Sequence, residues 1–212
     1  MKRFPWEKRI LKPVVFAGAL APLFGLLWQA YAGTFSANPI KDITEETGIW
    51  TLRFLLITLS VTPLRIITRW SPIGSLRRML GLFAFFYACL HLATYVYLDQ
   101  YFAFHDIFRD IAKRPFITAG VAAFALMIPL ALTSPNRVVR WLGGGRWKAL
   151  HRIVYAVALG GVIHYLWLVK ADRSRPLMYG AVLAVLLLIR LWVYFRSTRT
   201  PARRNSGGDA ST

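Results

Sequence analysis

The fold is decided by residues 79–98, which read MLGLFAFFYACLHLATYVYL. This stretch contains no charged residue, and a helix needs about 17 to 25 apolar residues to cross the hydrocarbon core of a membrane. A helix that is apolar on every face is also unsuited to the surface of a soluble domain. The stretch therefore predicts a transmembrane helix, and it carries one histidine, His91.

Five further apolar windows of similar length occur along the 212-residue chain, at residues 14–32, 49–67, 116–132, 153–169 and 177–195. Continuous apolar runs indicate helices, because the strands of a membrane barrel alternate apolar and polar residues. We therefore predict an all-α membrane protein, a six-transmembrane-helix bundle over residues 13–196.

The composition agrees with a membrane environment, since 56% of the residues are hydrophobic and 15% are aromatic. The formal net charge of +18 could suggest a nucleic-acid-binding protein. However, the basic residues lie in short clusters between the apolar windows and do not form one polar face. We therefore expect membrane lipid, and no nucleic acid, around this chain.

The distribution of charge predicts the orientation of the bundle. If the N-terminus is cytoplasmic, 18 basic residues lie on the inner side and seven lie in the outer loops, where seven of the nine acidic residues also fall. This is the bias of the positive-inside rule. We predict a multi-pass protein of the bacterial inner membrane with both termini cytoplasmic, a basic N-terminal segment over residues 1–12 and a disordered tail over residues 197–212.

Two histidines lie deep inside predicted membrane helices, where an ionisable side chain is costly and indicates a functional site by default. His91 and His164 each lie about 4 Å beyond the midpoint of their span, at about 1.5 Å per residue. The third and fifth helices run in the same direction, so both imidazoles should reach the same depth. This favours two axial ligands on one haem iron. The alternative is that each imidazole hydrogen-bonds a backbone carbonyl of a neighbouring helix.

A third histidine, His151, stands 13 residues before His164, about 20 Å away along the helix axis. On an ideal helix these two rings would point to different sides, so a distortion at Gly160 and Gly161 would be needed to align them. The third helix has Arg77, not histidine, at the corresponding level. His151 is therefore a candidate ligand of a second haem, or a residue that assists electron entry.

The single cysteine, Cys89, excludes an internal disulfide and a cysteine-built iron–sulfur site, and no C-x-x-C-H sequence is present for covalent haem attachment. Any haem is therefore held non-covalently.

Two arginines, Arg53 and Arg190, lie within predicted spans. Both are close enough to a helix end to extend their charged groups to the membrane surface, and this is the expected behaviour. Arg53, near the outer surface, could instead neutralise a haem propionate.

The outer segment 99–114 has apolar residues at helical spacing and charged residues on its other faces. This pattern predicts a short helix in the outer interface, which could be a docking surface for a partner.

Several stretches of the chain resemble the MsrQ family, the haem-binding membrane subunits of methionine sulfoxide reductase systems. This family falls within the wider ferric reductase-like transmembrane family, which includes the NADPH oxidases. The resemblance extends from about residue 10 to residue 196 and is carried by residues 38–43 (NPIKDI), 62–65 (TPLR), 77–82 (RRMLGL), 90–92 (LHL), 147–155 (WKALHRIVY) and 163–167 (IHYLW).

The resemblance implies haem b and FMN as cofactors, with electrons drawn from the quinone pool or from a cytosolic flavin reductase. It further implies that the electrons reach a periplasmic molybdenum-containing reductase subunit that repairs oxidised methionines. His91, His151 and His164 match the histidines of the family. The oxidases carry two histidines on each of two helices. Here Arg77 or Arg78 occupies the position of the fourth histidine. The chain would then be a non-catalytic electron-transfer subunit of an oxidoreductase system.

Two alternatives remain open at the level of sequence. One is a stand-alone ferric or quinone reductase of the cytochrome b type. The other is a non-redox membrane scaffold or transporter, in which Pro22, Pro63 and Pro129 would bend the helices. The chain contains no G-x-G-x-x-G, and Gly143–Gly145 is interpreted as a turn, so we expect electrons to be supplied by another component.

Overall fold

The computed structural model describes residues 5–199, with side chains described from residue 9 to residue 196, and every regular element in that part of the chain is helical. In chain order the α-helices are α1 (Pro5–Ala32), α2 (Pro39–Thr68), α3 (Arg77–Ala93), α4 (Phe104–Lys113), α5 (Pro115–Leu132), α6 (Asn136–Leu142), α7 (Gly144–Leu150), α8 (Val154–Leu168) and α9 (Ser174–Arg199). Short 3₁₀ segments cover Ser71–Ser75 and His151–Ile153, and a π-helical segment covers Thr94–Asp99.

Six stretches of the described chain are long and apolar enough to cross a membrane, which confirms the predicted multi-pass, all-α architecture. They are Arg9–Ala32, Pro39–Thr68, Arg77–Asp99, Pro115–Leu132, Gly144–Leu168 and Ser174–Arg196.

The second membrane helix begins ten residues before the predicted window, at Pro39. Asn38 caps it, with its side-chain oxygen accepting a hydrogen bond from the backbone N–H of Lys41 at 3.1 Å. Proline is favoured at the first helical position because its missing N–H is not needed there. Hydropathy alone does not detect these first turns, because they are polar.

The bundle is organised around two closely packed helix pairs, α2 with α3 and α5 with α8. Tyr87, Leu59 and Val157 are among the largest fully buried side chains at the centre of the bundle. Many other large apolar side chains are exposed on the outside, among them Leu27, Trp28, Ile67, Leu188 and Trp192. This is expected when hydrocarbon, and not water, surrounds the helices.

The two ends of the bundle differ in charge. The acidic end comprises residues 33–47, 94–118 and 164–179, and it carries Asp42, Glu45, Glu46, Asp99, Asp106, Asp110 and Asp172. The basic end comprises residues 62–78 and 132–155, which contain no acidic residue. Among the described residues all three ion pairs lie at the acidic end, Lys41–Glu45, Asp106–Arg109 and Asp110–Arg114.

The smaller sequence predictions had mixed outcomes. The predicted short helix in segment 99–114 is present as α4. Gly143 has a positive φ of 76° and forms the predicted turn, but Gly144 and Gly145 already belong to α7. The last helix continues to Arg199, and the rest of the predicted tail, residues 200–212, lies outside the described residues.

Candidate functional site

The structure brings His91 and His164 together near the acidic end of the bundle, as the matched depths predicted. His91 projects from α3 and His164 from α8, and their ring centroids are 6.0 Å apart with planes inclined by 79°. Two metal–nitrogen bonds of about 2 Å, together with the radius of each ring, place two axial imidazoles about 6 Å apart. The rings are therefore close enough for one nitrogen of each to bind the same metal ion.

Each of these imidazoles is oriented by a backbone carbonyl of a neighbouring helix. The Nδ1 atom of His91 lies 2.9 Å from the carbonyl oxygen of Thr44 in α2, and the Nδ1 atom of His164 lies 2.6 Å from that of Phe116 in α5. A carbonyl can only accept, so both Nδ1 atoms must carry the proton. The Nε2 atoms of the neutral rings are then unprotonated and can bind a metal.

This geometry combines the two alternatives that the sequence left open. The hydrogen bond to a carbonyl satisfies one nitrogen of each ring and does not compete with ligation by the other. Metal-binding histidines commonly donate their second nitrogen in this way, since the bond fixes the tautomer and the orientation of the ring.

Two glycines lie directly against the histidine rings. A Cβ atom on Gly48 would lie 3.0 Å from Cε1 of His91, and one on Gly120 would lie 2.8 Å from Nδ1 of His164. The sequence analysis did not identify either residue. Each glycine follows the residue whose carbonyl accepts from the ring by four positions, Thr44–Gly48 and Phe116–Gly120. The sequence alone could not reveal this spacing, because it does not show which carbonyls the rings meet.

The residues at this site fit a b-type haem. A porphyrin supplies four nitrogens to its iron and leaves two axial positions, which is the number of nitrogens offered here. Both rings are half-buried. The ring of Phe116 lies 6.3 Å from that of His164, centroid to centroid, and provides apolar aromatic surface beside it.

His151 lies apart from this pair, at the basic end of the bundle. It begins the 3₁₀ segment between α7 and α8. Its Nδ1 lies 3.1 Å from the carbonyl oxygen of Trp147, and its ring stacks on that of Trp147 with the centroids 3.9 Å apart. The distortion at Gly160 and Gly161 that would align this ring with His164 is absent, since both glycines lie within the continuous helix α8 and the departure from α-helix is at His151–Ile153. Gly160 instead packs closely on α5, where a Cβ atom would lie 3.2 Å from that of Ala123.

A cavity of about 620 Å³ opens beside His151 at the basic end. Its walls include the aromatic residues Phe85, Trp147 and Tyr155. None of its described lining residues is acidic, whereas six are basic: Lys12, Arg77, Arg78, Lys148, Arg152 and Arg190.

Two arginines of this cavity, Arg77 and Arg190, are paired with neutral oxygens. Arg190 donates from Nη2 to the carbonyl of Leu59 and to the hydroxyl of Thr62, at 3.0 and 3.2 Å, and from Nη1 to the hydroxyl of Tyr155. Nη1 of Arg77 donates to the same Thr62 hydroxyl at 3.3 Å. Two guanidinium groups therefore meet at one hydroxyl group, and both line the cavity.

The expectation that Arg190 extends its charged group to the membrane surface stays a prediction, and within the bundle this group is held by hydrogen bonds. Its Nε is buried and has no hydrogen-bond partner. Its head group lies between α2 and α8, where the carbonyl of Leu59 and the hydroxyl of Tyr155 accept its protons. Arg53, near the acidic end, donates from Nε to the hydroxyl of Tyr179 at 3.0 Å and lies 4.6 Å over the ring of Trp50.

Comparison with known proteins identifies relatives across most of the chain. Residues 47–162 match the family model described as ferric reductase like transmembrane component. A protein of Herminiimonas arsenicoxydans is 46% identical over 201 residues, which cover 93% of this chain and 92% of that protein. A protein of Azospira oryzae is 51% identical over 86% of this chain and 79% of its own length. A protein of Rhodospirillum rubrum is 47% identical over 91% of this chain and 92% of its own length. All three are named protein-methionine-sulfoxide reductase heme-binding subunit MsrQ.

Proposed function

This chain belongs to the MsrQ family of ferric reductase-like membrane proteins, and from that premise we propose that it is the haem-binding electron-transfer subunit of a methionine sulfoxide reductase system. Electrons would cross the bacterial inner membrane to a periplasmic, molybdenum-containing reductase subunit. The observation that carries the proposal is the pair of imidazoles from α3 and α8, with ring centroids 6.0 Å apart.

In the proposed site His91 and His164 hold haem b through their Nε2 atoms. The carbonyls of Thr44 and Phe116 keep the proton on Nδ1 of each ring, and this leaves Nε2 available as a ligand. When bound, the haem supplies one-electron exchange between ferric and ferrous iron. The apolar side chains around the pair lower the local polarity, which is one of the properties that set a haem potential.

The cavity at the basic end is the proposed site of electron entry. Its volume is within the range of about 300 to 1,000 Å³ that is usual for small-molecule sites. Its six basic side chains and aromatic walls favour a ligand with a flat ring and negative charge over the neutral head group of a quinone. FMN is such a ligand, and so is a second haem with its two propionates. His151 would ligate that second haem, or assist electron entry next to the flavin.

The orientation of the bundle follows from its charge. By the positive-inside rule the basic end faces the cytoplasm, where a cytosolic flavin reductase or the quinone pool would supply electrons. The paired histidines then lie near the periplasmic side, within reach of the partner that accepts them. The exposed face of α4, with Phe104 and Phe108, is available on that side for docking.

The direct test is the visible spectrum of the purified chain in detergent, before and after dithionite, with haem counted per chain. We expect a low-spin b-type spectrum that is fully reducible. A colourless protein from cells that synthesise haem would exclude the proposal. Adding the periplasmic reductase subunit to the reduced protein should reoxidise it, whereas rapid reduction of a ferric chelate without transfer to that subunit would favour a stand-alone ferric reductase.

The entry site has its own test, in which one intramembrane arginine is compared with another. Arg190→Gln removes a positive charge from the cavity, whereas Arg53→Gln removes one near the acidic end. We expect Arg190→Gln to weaken FMN binding in a fluorescence titration and Arg53→Gln to leave it unchanged. Equal FMN affinity in the two variants would contradict an anion-binding role for the cavity.

A further inference from the structure

We propose that Gly48 and Gly120 are positioning residues for the axial imidazoles, because each exposes the helix carbonyl that orients one ring. This inference rests on the proposed haem function, and it concerns residues outside the ligand pair. Each ring contacts its glycine closely, with the nearest ring atom 3.0 Å from the place of a Cβ atom at Gly48 and 2.8 Å at Gly120.

The need for glycine follows from helix geometry. The Cα–Cβ bonds of an α-helix tilt towards its N-terminus, so a side chain covers the turn before its own position. The side chain four residues after a carbonyl therefore lies over that carbonyl. At Gly48 and Gly120 there is no side chain, and the carbonyls of Thr44 and Phe116 are open to an imidazole. The carbonyl of Thr44 also accepts from the hydroxyl of Thr47, at 3.1 Å.

The same arrangement occurs on two helix pairs. In each pair the earlier helix provides the carbonyl and the glycine, and the later helix provides the histidine. In α2 and α3 the carbonyl and its histidine are 47 residues apart, and in α5 and α8 they are 48 residues apart. Each glycine also follows the residue that provides the carbonyl by four positions. The repeat explains how two different helix pairs present their imidazoles at one level and in the same tautomer.

Two other glycines of the membrane helices provide controls. A Cβ atom on Gly25 of α1 would have no atom within 4 Å, and one on Gly161 of α8 would lie 3.6 Å from Cδ1 of Leu52. Neither position is crowded, since 3.6 Å is an ordinary van der Waals contact. Alanine is a stronger helix former than glycine, so all four substitutions should preserve the helices.

The experiment replaces each of the four glycines by alanine in the full-length, haem-loaded protein. We expect Gly120→Ala to lose most of the low-spin electron paramagnetic resonance signal and to gain a high-spin one. Gly48→Ala, whose contact is longer, should show a smaller conversion and a shifted midpoint potential. Gly25→Ala and Gly161→Ala should retain the spectrum and potential of the unmodified protein.

The outcomes separate this inference from the proposed function. If the unmodified protein holds no haem, the proposed function fails. If it holds haem, unchanged spectra and potentials in both Gly48→Ala and Gly120→Ala overturn the positioning role, as would equal changes in the controls. If Gly120→Ala does not fold, Gly48→Ala alone tests the positioning role. Circular dichroism then checks that the helices of this variant are intact. Loss of helical content there would make the glycine a packing residue and would also overturn the role.

Discussion

At the level of single residues, His91 and His164 use their two ring nitrogens differently. Nδ1 of each ring donates to a carbonyl of a neighbouring helix, which leaves Nε2 for a metal. Burying a polar imidazole in a membrane costs free energy. Once haem is bound, both nitrogens of each ring have a partner, and this offsets that cost. His151 has a different setting, since it stacks on Trp147 beside a cationic cavity.

Replacing His91 or His164 with alanine should therefore remove an axial ligand of the proposed haem. We expect the haem to be lost or to become five-coordinate and high-spin, as measured by optical and paramagnetic resonance spectra. His105→Ala, which alters an exposed histidine of α4, is the control and should retain the low-spin haem. A full low-spin spectrum in His164→Ala would show that the pairing proposed here is wrong.

His151→Ala should give a different result. The low-spin signal of the haem between α3 and α8 should persist, because His151 lies at the other end of the bundle. Reduction by a flavin reductase and FMN should become slower, since the cavity that we assign to electron entry loses one wall. Stopped-flow reduction measures this rate, and loss of all haem in His151→Ala would contradict the separation of the two sites.

At the level of elements, α1 is held to the bundle by an unusual contact. The hydroxyl of Tyr87, on α3, donates to the carbonyl of Ala19 at 2.9 Å and accepts from the N–H of Leu23 at 3.2 Å. It thus joins two backbone groups of α1 one turn apart, next to Pro22, whose missing N–H already weakens that turn. Tyr87 itself is fully buried.

Tyr87→Phe should loosen α1 without affecting the haem. The substitution removes two hydrogen bonds, each worth about 0.5 to 1.5 kcal/mol, and keeps the aromatic stacking on Phe54. We expect faster proteolysis of the connection at 33–38 and a lower thermal midpoint in detergent, with an unchanged haem spectrum. Tyr97→Phe, at an exposed position, is the control, and equal behaviour of the two variants would exclude this role for Tyr87.

At the level of the whole molecule, the charge difference between the two ends predicts the topology. A reporter fused to either terminus should behave as cytoplasmic, and one inserted at residues 42–47 should behave as periplasmic. Alkaline phosphatase and green fluorescent protein fusions measure this. A periplasmic C-terminus would require an odd number of spans, and it would conflict with the six membrane helices.

The source of electrons gives a second prediction for the whole molecule. The sequence contains no dinucleotide-binding G-x-G-x-x-G, so the purified protein should not oxidise NADH or NADPH by itself. Addition of a flavin reductase, or of a quinol, should permit reduction of the haem, monitored by its visible bands. Rapid oxidation of NADPH by the pure chain would require an electron-entry site other than the one proposed.

The sequence by itself was sufficient to predict the six helices and the pairing of His91 with His164 at one level. The direction of the helices across the membrane stays a prediction from charge. Each of these depends on position along the chain, because apolar length decides whether a helix spans a membrane and a constant rise per residue decides depth.

Only the tertiary structure decided which way the side chains point around the helix axes. The carbonyl partners of the histidines, the contacts of Gly48 and Gly120, and the inward position of Arg190 depend on the rotation and spacing of neighbouring helices. These are set by packing between residues distant in sequence, such as Thr44 with His91 and Leu59 with Arg190. The 3₁₀ segment at His151–Ile153 is likewise not encoded by a one-dimensional pattern of hydropathy.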